Sequence, residues 1–178
     1  MNSNTIAVPD NWHPKEMLEA LANVAQGKSA IAEVGSWLGH SAIALAQHSA
    51  GVVYCIDHWQ GSDSGTGLVD EPLKLYQSFL SNVQSAGVLH RIVPIFKSSA
   101  DAAPLFRDRS LDLLFIDGSH FYEAVIQDLK LWVPKVKPGG LVCGDDYWEE
   151  GVVRAFSEYW PEREPTFLVA GRVWLVQL

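Results

Sequence analysis

Three acidic residues and a histidine follow two apolar segments in the second half of the chain. The run LDLLFI ends at Asp117, and His120 comes three residues later. The run GGLVCG ends at the pair Asp145 and Asp146. If both runs are neighbouring parallel strands, these four side chains meet at one edge of a sheet. Carboxylates crowded in this way repel each other, so either one of them is protonated at a raised pKa or a cation lies among them.

Composition limits the classes of partner. The 178 residues include 13 basic and 21 acidic side chains, which gives a net charge of −8. A nucleic acid or an anionic membrane needs a positive protein surface, so we expect neither as a partner. The first residues lack the basic start and apolar core of a signal peptide, and no apolar run is long enough to span a bilayer. We therefore expect a cytoplasmic protein, in which Cys55 and Cys143 are buried free thiols.

Strand-length and helix-length segments alternate along the chain. Apolar runs of strand length favour strands that are buried on both faces, and their alternation with helices favours a parallel sheet. The predicted strands are Ala30–Val34, Val52–Ile56, Arg91–Phe96, Leu111–Ile116, Gly140–Cys143, Thr166–Val169 and Val173–Gln177. The predicted helices are Pro14–Ala25, Leu38–His48, Glu71–Ala86, Ala100–Phe106, Phe121–Val133 and Glu150–Tyr159.

The end of the chain breaks this alternation. Two apolar runs flank Gly171-Arg172, which predicts a hairpin with a two-residue turn and therefore an antiparallel last strand. The predicted fold is α/β, a Rossmann-like three-layer sandwich with a seven-stranded, mostly parallel sheet. We expect one domain over residues 1–178, with residues 1–13 loosely ordered. Residues 60–70 are rich in glycine and hydroxyl side chains, and they form either a lid or a plain connector.

A glycine-containing turn follows the first predicted strand. The segment EVGSWLGHS, residues 33–41, places Gly35 and Gly39 between a strand and a helix, as in nucleotide-binding proteins. The second glycine of the dinucleotide fingerprint is replaced by Trp37, which argues against NAD. The turn suits a ligand with a carboxylate and an amine, such as the methionyl end of S-adenosylmethionine, although a purely structural turn would look the same. The candidate contacts here are Glu33, Gly35, Ser36, Trp37, Gly39 and Ser41.

The next two strand ends extend this candidate site. Asp57 ends the second strand, about 20 residues after the glycine turn, where an acid typically accepts hydrogen bonds from ribose hydroxyls. Ser99 either caps the following helix or faces the adenine. Trp37, Trp59 and Trp148 come just after strand ends, where aromatic rings could stack on a flat ligand. The remaining candidate contacts for the nucleoside are Asp57, His58, Trp59, Ser98, Ser99 and Asp117.

Together these residues resemble class I S-adenosylmethionine-dependent methyltransferases. The most specific segment is FIDGSHFYEAVIQDLKLWVPKVKPGGLVCGDDY, which is similar to a signature of the group containing macrocin-type sugar O-methyltransferases and cephalosporin hydroxylase. The resemblance implies S-adenosylmethionine as cofactor and a small-molecule hydroxyl, on a sugar or a phenol, as acceptor. It also implies a divalent cation, Mg²⁺ or Mn²⁺, held by Asp117, Asp145 and Asp146, with His120 as the general base.

Simpler roles compete with these assignments. Asp146 could cap the last helix, and His120 could cap the helix that starts at Phe121. Asp128 and Trp132 are interpreted as structural, on a charged outer face and in a packed core, and His13, His48 and His90 as surface residues. A nucleoside-binding protein without catalysis, or another reaction on the same scaffold, remains an alternative. Exposed aromatic residues and the edge hairpin are compatible with a homodimer.

Overall fold

A computed structural model describes residues 13–61 and 72–178. Within these ranges the chain forms one seven-stranded sheet with helices on both faces, which confirms the predicted fold class. Predictions for residues 1–12, and for most of the 60–70 segment, lie outside the described residues. The helices in the described part of the chain are all too short or too polar to cross a bilayer.

The sheet has the strand order β3-β2-β1-β4-β5-β7-β6. The first five strands are parallel, and β7 is antiparallel to both β5 and β6. Strand β1 lies next to β4, with β2 and β3 on one side of this pair and the later strands on the other. Because the strand order reverses here, a crevice opens at the carboxyl ends of β1 and β4. The strands are β1 (Ala30–Val34), β2 (Val52–Asp57), β3 (Ile92–Phe96), β4 (Leu111–Ile116), β5 (Val136–Gly144), β6 (Thr166–Val169) and β7 (Val173–Gln177).

Two apolar cores lie on opposite faces of the sheet. One packs α1, α2 and α3 against it through residues such as Leu21, Leu45 and Phe79. The other packs α4, α5 and α6 through residues such as Leu129 and Phe156. The helices are α1 (Lys15–Ala25), α2 (His40–His48), α3 (Pro72–Ser85), α4 (Ser99–Ala102), α5 (Tyr122–Trp132) and α6 (Glu150–Tyr159).

Three predicted elements differ most from the structure. Strand β5 starts four residues early, because Val136 already pairs with Leu111 of β4 before an irregularity in the register, and Gly139 N–H donates to the Leu178 carbonyl (2.8 Å). The predicted helix at 100–106 is a short α4 followed by a 3₁₀ turn, since Pro104 lacks the N–H that would continue an α-helix. The hairpin loop has three residues rather than two, with Gly171 at φ +65°.

Gly144, at the end of β5, offers a test of the packing under the hairpin. A Cβ added there would lie about 2.5 Å from Trp174 Cε2, and Trp174 is almost fully buried. We expect Gly144→Ala to lower the free energy of unfolding in urea by about 1–3 kcal/mol through overpacking. In a Trp174→Phe background the smaller ring leaves room, so the same change should cost less. An equal cost in both backgrounds would contradict this account.

Candidate active site

The carboxyl ends of the parallel strands line a cavity of about 770 Å³. It opens at the point between β1 and β4 where ligands of doubly wound folds bind. Of the predicted site residues, its walls include Gly35, Trp37, Asp57, His58, Ser98, Ser99, Asp117, His120, Asp145 and Asp146. The predicted contacts that do not line it are Glu33, Ser36, Gly39, Ser41 and Trp59.

The two glycines of the first turn have different roles. Gly35 has φ +89°, and a Cβ there would lie 2.6 Å from the Asp117 carbonyl carbon, so only glycine allows the ends of β1 and β4 to approach this closely. Gly39 also has positive φ, but its neighbour is the Phe79 ring, 2.9 Å from an added Cβ. Gly35 therefore shapes the cavity wall, whereas Gly39 allows α2 to pack against α3.

Glu33 is fully buried beneath this turn. Neither of its carboxylate oxygens has a hydrogen-bond partner in the described part of the chain, nor does the buried Ser36 hydroxyl. Burial raises the pKa of Glu33 to about 7, and the nearby hydroxyls of Ser36 and Ser41 oppose the rise only in part. A buried acid without full compensation destabilises a protein, and these hydroxyls compensate Glu33 only in part.

Asp57 organises the loop that follows β2. Its Oδ2 accepts a hydrogen bond from the Trp37 backbone N–H (2.7 Å), and its Oδ1 accepts one from the Trp59 N–H (2.6 Å). Both tryptophans have left-handed backbones, with φ of 40° and 45°. The Trp59 indole donates to the Trp37 carbonyl (2.8 Å) and is fully buried against Phe79, so it cannot stack on a ligand as predicted.

The loop after β3 is fixed by serines. Ser98, not Ser99, caps α4: its hydroxyl accepts from the Asp101 N–H (3.2 Å), so the predicted capping by Ser99 was wrong. Ser99 instead donates to the Asp128 carboxylate and accepts from the Trp132 indole (2.8 Å). Asp128 is buried rather than on an outer charged face, which corrects that prediction, whereas Trp132 is packed in the core as predicted.

Asp117, His120 and Asp146 converge at the other end of the cavity. One ligand atom from each lies within 4.8 Å of the other two, and His120 Nε2 is 2.6 Å from Asp146 Oδ2. The hydrogen bond that the His120 imidazole donates to Asp146 raises the pKa of His120, although partial burial opposes this. Neither residue caps a helix: the residues before α5 and α6 are Phe121 and Glu149, and neither helix start has a side-chain cap.

Asp145 has a different partner from the other two acids. Arg172, from the hairpin loop, binds it with two donors, Nε to Oδ1 at 2.9 Å and Nη2 to Oδ2 at 2.7 Å. Burial and the charge of Asp117 raise the pKa of Asp145 to about 7, while Arg172 opposes the rise. Asp145 as a metal ligand therefore remains a prediction, and Asp117, His120 and Asp146 form the cluster that the geometry brings together.

His13 is a cavity residue that the sequence did not reveal. Its Nε2 lies 3.8 Å from Asp117 Oδ2, and its ring lies beside those of Trp37 and His40. Burial alone would lower its pKa, but the negative charge of the nearby Asp117 outweighs burial and raises it. The prediction of a surface position was wrong, because no local pattern shows where the residue before a helix will point.

The family of the chain follows from comparison with known proteins. Residues 32–147, well over half of the chain, match a family model described as a methyltransferase domain. The chain therefore belongs to this family, and the predicted class of S-adenosylmethionine-dependent methyltransferases is confirmed. The narrower likeness to macrocin-type enzymes stays a prediction, because the match describes only a methyltransferase domain.

The chain spans only a small part of the length of the curated relatives that it matches. The uncharacterized protein y4gI of Sinorhizobium fredii (strain NBRC 101917 / NGR234) is 29% identical over 137 residues, which cover 74% of this chain and 14% of that protein. The uncharacterized protein R132 of Acanthamoeba polyphaga mimivirus is 40% identical over 52 residues, which cover 27% of this chain and 24% of that protein.

Solved structures establish the fold. Cofactor-bound Rv0187 from MTB has a TM-score of 0.75 at 18% identity, covering 96% of this chain and 83% of that one. The O-methyltransferase NovP has a TM-score of 0.72 at 19% identity, with coverages of 95% and 83%. TomG from Streptomyces achromogenes, an O-methyltransferase in complex with S-adenosylmethionine, has a TM-score of 0.68 at 18% identity, with coverages of 98% and 82%.

The buried Glu33 predicts an unusual pH dependence of stability. Its pKa is about 7 in the folded protein against 4.5 as the ordinary value, so its contribution to stability is full below pH 4.5 and is lost as the pH rises through 7. We expect Glu33→Gln to raise the free energy of unfolding in urea at pH 8 by up to about 3 kcal/mol, with little gain at pH 4.

The matched control is Glu19→Gln, which removes an exposed carboxylate from α1 that pairs with Lys15. It should change stability by only a few tenths of a kcal/mol at either pH. If the difference between Glu33→Gln and the wild type is the same at pH 4 and pH 8, the buried carboxyl does not titrate as described.

Proposed function

We propose that this methyltransferase transfers a methyl group from S-adenosylmethionine to a hydroxyl group of a small molecule, with help from a divalent cation. The observation on which the proposal rests is the convergence of Asp117, His120 and Asp146 within 4.8 Å at one end of the cavity. The opposite end of the same cavity has the strand-end features that suit a nucleoside. One cavity can therefore hold both reactants side by side.

The nucleoside end offers suitable partners for S-adenosylmethionine. Each Asp57 oxygen accepts one backbone N–H and retains capacity for a ribose hydroxyl. The turn at Gly35 and Trp37 lines the wall beside it, and the charge of a cofactor amino group above the turn would favour the ionised form of Glu33, which is buried beneath it. When bound, S-adenosylmethionine supplies an electrophilic methyl group, and the protein's task is to position the acceptor and remove its proton.

The acceptor end offers suitable ligands for Mg²⁺ or Mn²⁺. Carboxylate oxygens from two side chains are the ligands that these cations prefer, the imidazole is the least usual member of the set, and coordination positions are left over for a substrate hydroxyl. A cation held there would lower the pKa of that hydroxyl. Asp145 would become a further ligand only if it gave up its pairing with Arg172.

A second mechanism is favoured by a separate observation. His120 Nε2 is already 2.6 Å from Asp146 Oδ2, and this pair could take a hydroxyl proton without any cation. The two mechanisms make different demands on His120: as a ligand it would give an unprotonated Nε2 to the cation, and as a base it would keep the Nε2 proton on Asp146 and accept the hydroxyl proton at Nδ1. A chelator separates them, because only the first requires the cation.

The setting of the enzyme is also a proposal. We place it in the cytoplasm, acting on a sugar or phenol hydroxyl, without nucleic acid or membrane as a partner, since the net charge of −8 opposes polyanions. A homodimer is compatible with exposed apolar side chains such as Phe167 in β6, at the sheet edge.

The cofactor assignment is tested by calorimetry and turnover. We expect S-adenosylhomocysteine to bind and NAD to bind at least about 100-fold more weakly, with Asp57→Asn reducing the affinity for S-adenosylhomocysteine by about 10-fold or more through the lost charge-assisted hydrogen bonds. Methyl transfer to a panel of sugars and phenols identifies the acceptor. Tighter binding of NAD, or no binding of S-adenosylhomocysteine, would overturn the proposal.

The cation is tested by thermal unfolding with S-adenosylhomocysteine present. We expect saturating MgCl₂ to raise the melting temperature by about 3–5 °C in the wild type, and not in Asp146→Asn or His120→Ala. Asp108→Asn, which alters an exposed acid paired with Lys135, is the control and should keep the full shift. Methyl transfer that survives EDTA, with no Mg²⁺ shift, would instead support the His120–Asp146 pair acting alone.

A further inference from the structure

Asp128 is a buried acid in the cavity wall to which the proposed reaction gives no role. It lies on α5, is 6% exposed, and lines the cavity where the loops after β3 and β4 meet, beside Ser99 and Gly118. Burial raises its pKa to about 6, opposed by the Ser99 hydroxyl. A carboxylate in such a place needs either a second partner or a function.

The hydrogen bonds around Asp128 fix its orientation. The Ser99 hydroxyl accepts from the Trp132 indole (2.8 Å), so its single proton is directed to Asp128 Oδ1. The other oxygen, Oδ2, accepts no hydrogen bond from the described residues. It lies beside Gly118, where an added Cβ would be 3.9 Å away, and Gly118 also lines the cavity. Oδ2 is therefore a fixed acceptor at the cavity wall.

The position of Asp128 Oδ2 in the cavity indicates which part of the proposed nucleoside it would contact. A reactive methyl group must face the cluster around Asp146, and a ribose at Asp57 lies at the end of β2, between that cluster and the loop after β3. The base then occupies the remaining space, which is bounded by Ser98, Ala100 and Asp128. Of the groups on adenine, the exocyclic amine is the donor at its edge.

We infer that Asp128 determines the base specificity of the cavity: Oδ2 accepts a hydrogen bond from the 6-amino group of adenine and disfavours a 6-oxo purine. This inference rests on the proposed binding of S-adenosylmethionine. The inference goes beyond the proposed function, because a protein could bind S-adenosylmethionine without distinguishing a 6-amino from a 6-oxo group on the purine. The role is one of recognition, and Asp128 takes no part in methyl transfer.

The test compares two ligands on one protein. Calorimetry at pH 8, where Asp128 is ionised, measures S-adenosylhomocysteine against its 6-oxo analogue, S-inosylhomocysteine. We expect the wild type to prefer the adenine ligand by about 10-fold or more, because a buried carboxylate facing a carbonyl leaves both acceptors unpaired. In Asp128→Asn, Ser99 still donates to the side-chain oxygen, so the amide N–H₂ faces the cavity and the preference should fall by about 10-fold or reverse.

Controls separate this inference from simpler outcomes. Asp108→Asn removes the same charge far from the cavity and should leave the ratio of the two affinities unchanged. A general loss of folded protein lowers both affinities alike and also leaves the ratio unchanged. If Asp128→Asn does not fold, Ser99→Ala provides a second test, because it frees the carboxylate to rotate and should cause a partial loss of preference.

Two results would overturn the inference. Equal binding of the two ligands by the wild type, or an unchanged ratio in Asp128→Asn, shows that Asp128 does not recognise the base while the proposed function stands. If the wild type binds neither ligand, the proposed function fails first and the inference fails with it.

Discussion

Mutual repulsion among five carboxyl groups is the constraint on which the rest of this site depends. Parallel strands bring their carboxyl ends to one edge, and each of the first, second, fourth and fifth strands supplies acid there. The five are Glu33, Asp57, Asp117, Asp145 and Asp146. In a partly buried setting like charges interact strongly, so each group needs compensation of its own. The compensation differs from one acid to the next: backbone N–H groups for Asp57, a guanidinium for Asp145, imidazoles beside Asp117 and Asp146, and only hydroxyls near Glu33.

This constraint explains why distant parts of the chain reach the site. Arg172 comes from the loop of the terminal hairpin and His13 from just before the first helix, yet both lie against acids of the central strands. The antiparallel hairpin therefore does more than extend the sheet, because its loop places a cation next to a fully buried carboxylate. Removing such a cation would leave an uncompensated charge in the interior, which is costly. The terminal hairpin thus both extends the sheet and supplies the charge that balances Asp145 in the cavity wall.

Local sequence patterns predicted which acids lie at the strand ends, but not which distant side chains compensate their charge. Apolar runs that end in acid predicted Asp57 and Asp117 at strand ends, because the run defines the strand and the acid defines its end. The partners of Asp117 and Asp145 were not predictable, since His13 and Arg172 are far away in sequence and only the tertiary fold brings them close. Trp59 also follows a strand end, but its burial depends on how α3 packs over it, which no local pattern specifies.

The balance of charge also accounts for what the cavity would attract. Asp145 is neutralised by Arg172, and Asp57 is stabilised by dipoles, which leaves the region of Asp117 and Asp146 negative unless both neighbouring imidazoles are protonated. A sulfonium and a divalent cation carry the charge that such a region favours, and under the proposed function either would lower the affinity of the two neighbouring histidines for protons. The same imidazoles balance the acids whenever no cation is bound, which reconciles a folded, acid-rich site with the affinity for cations that the proposed function requires.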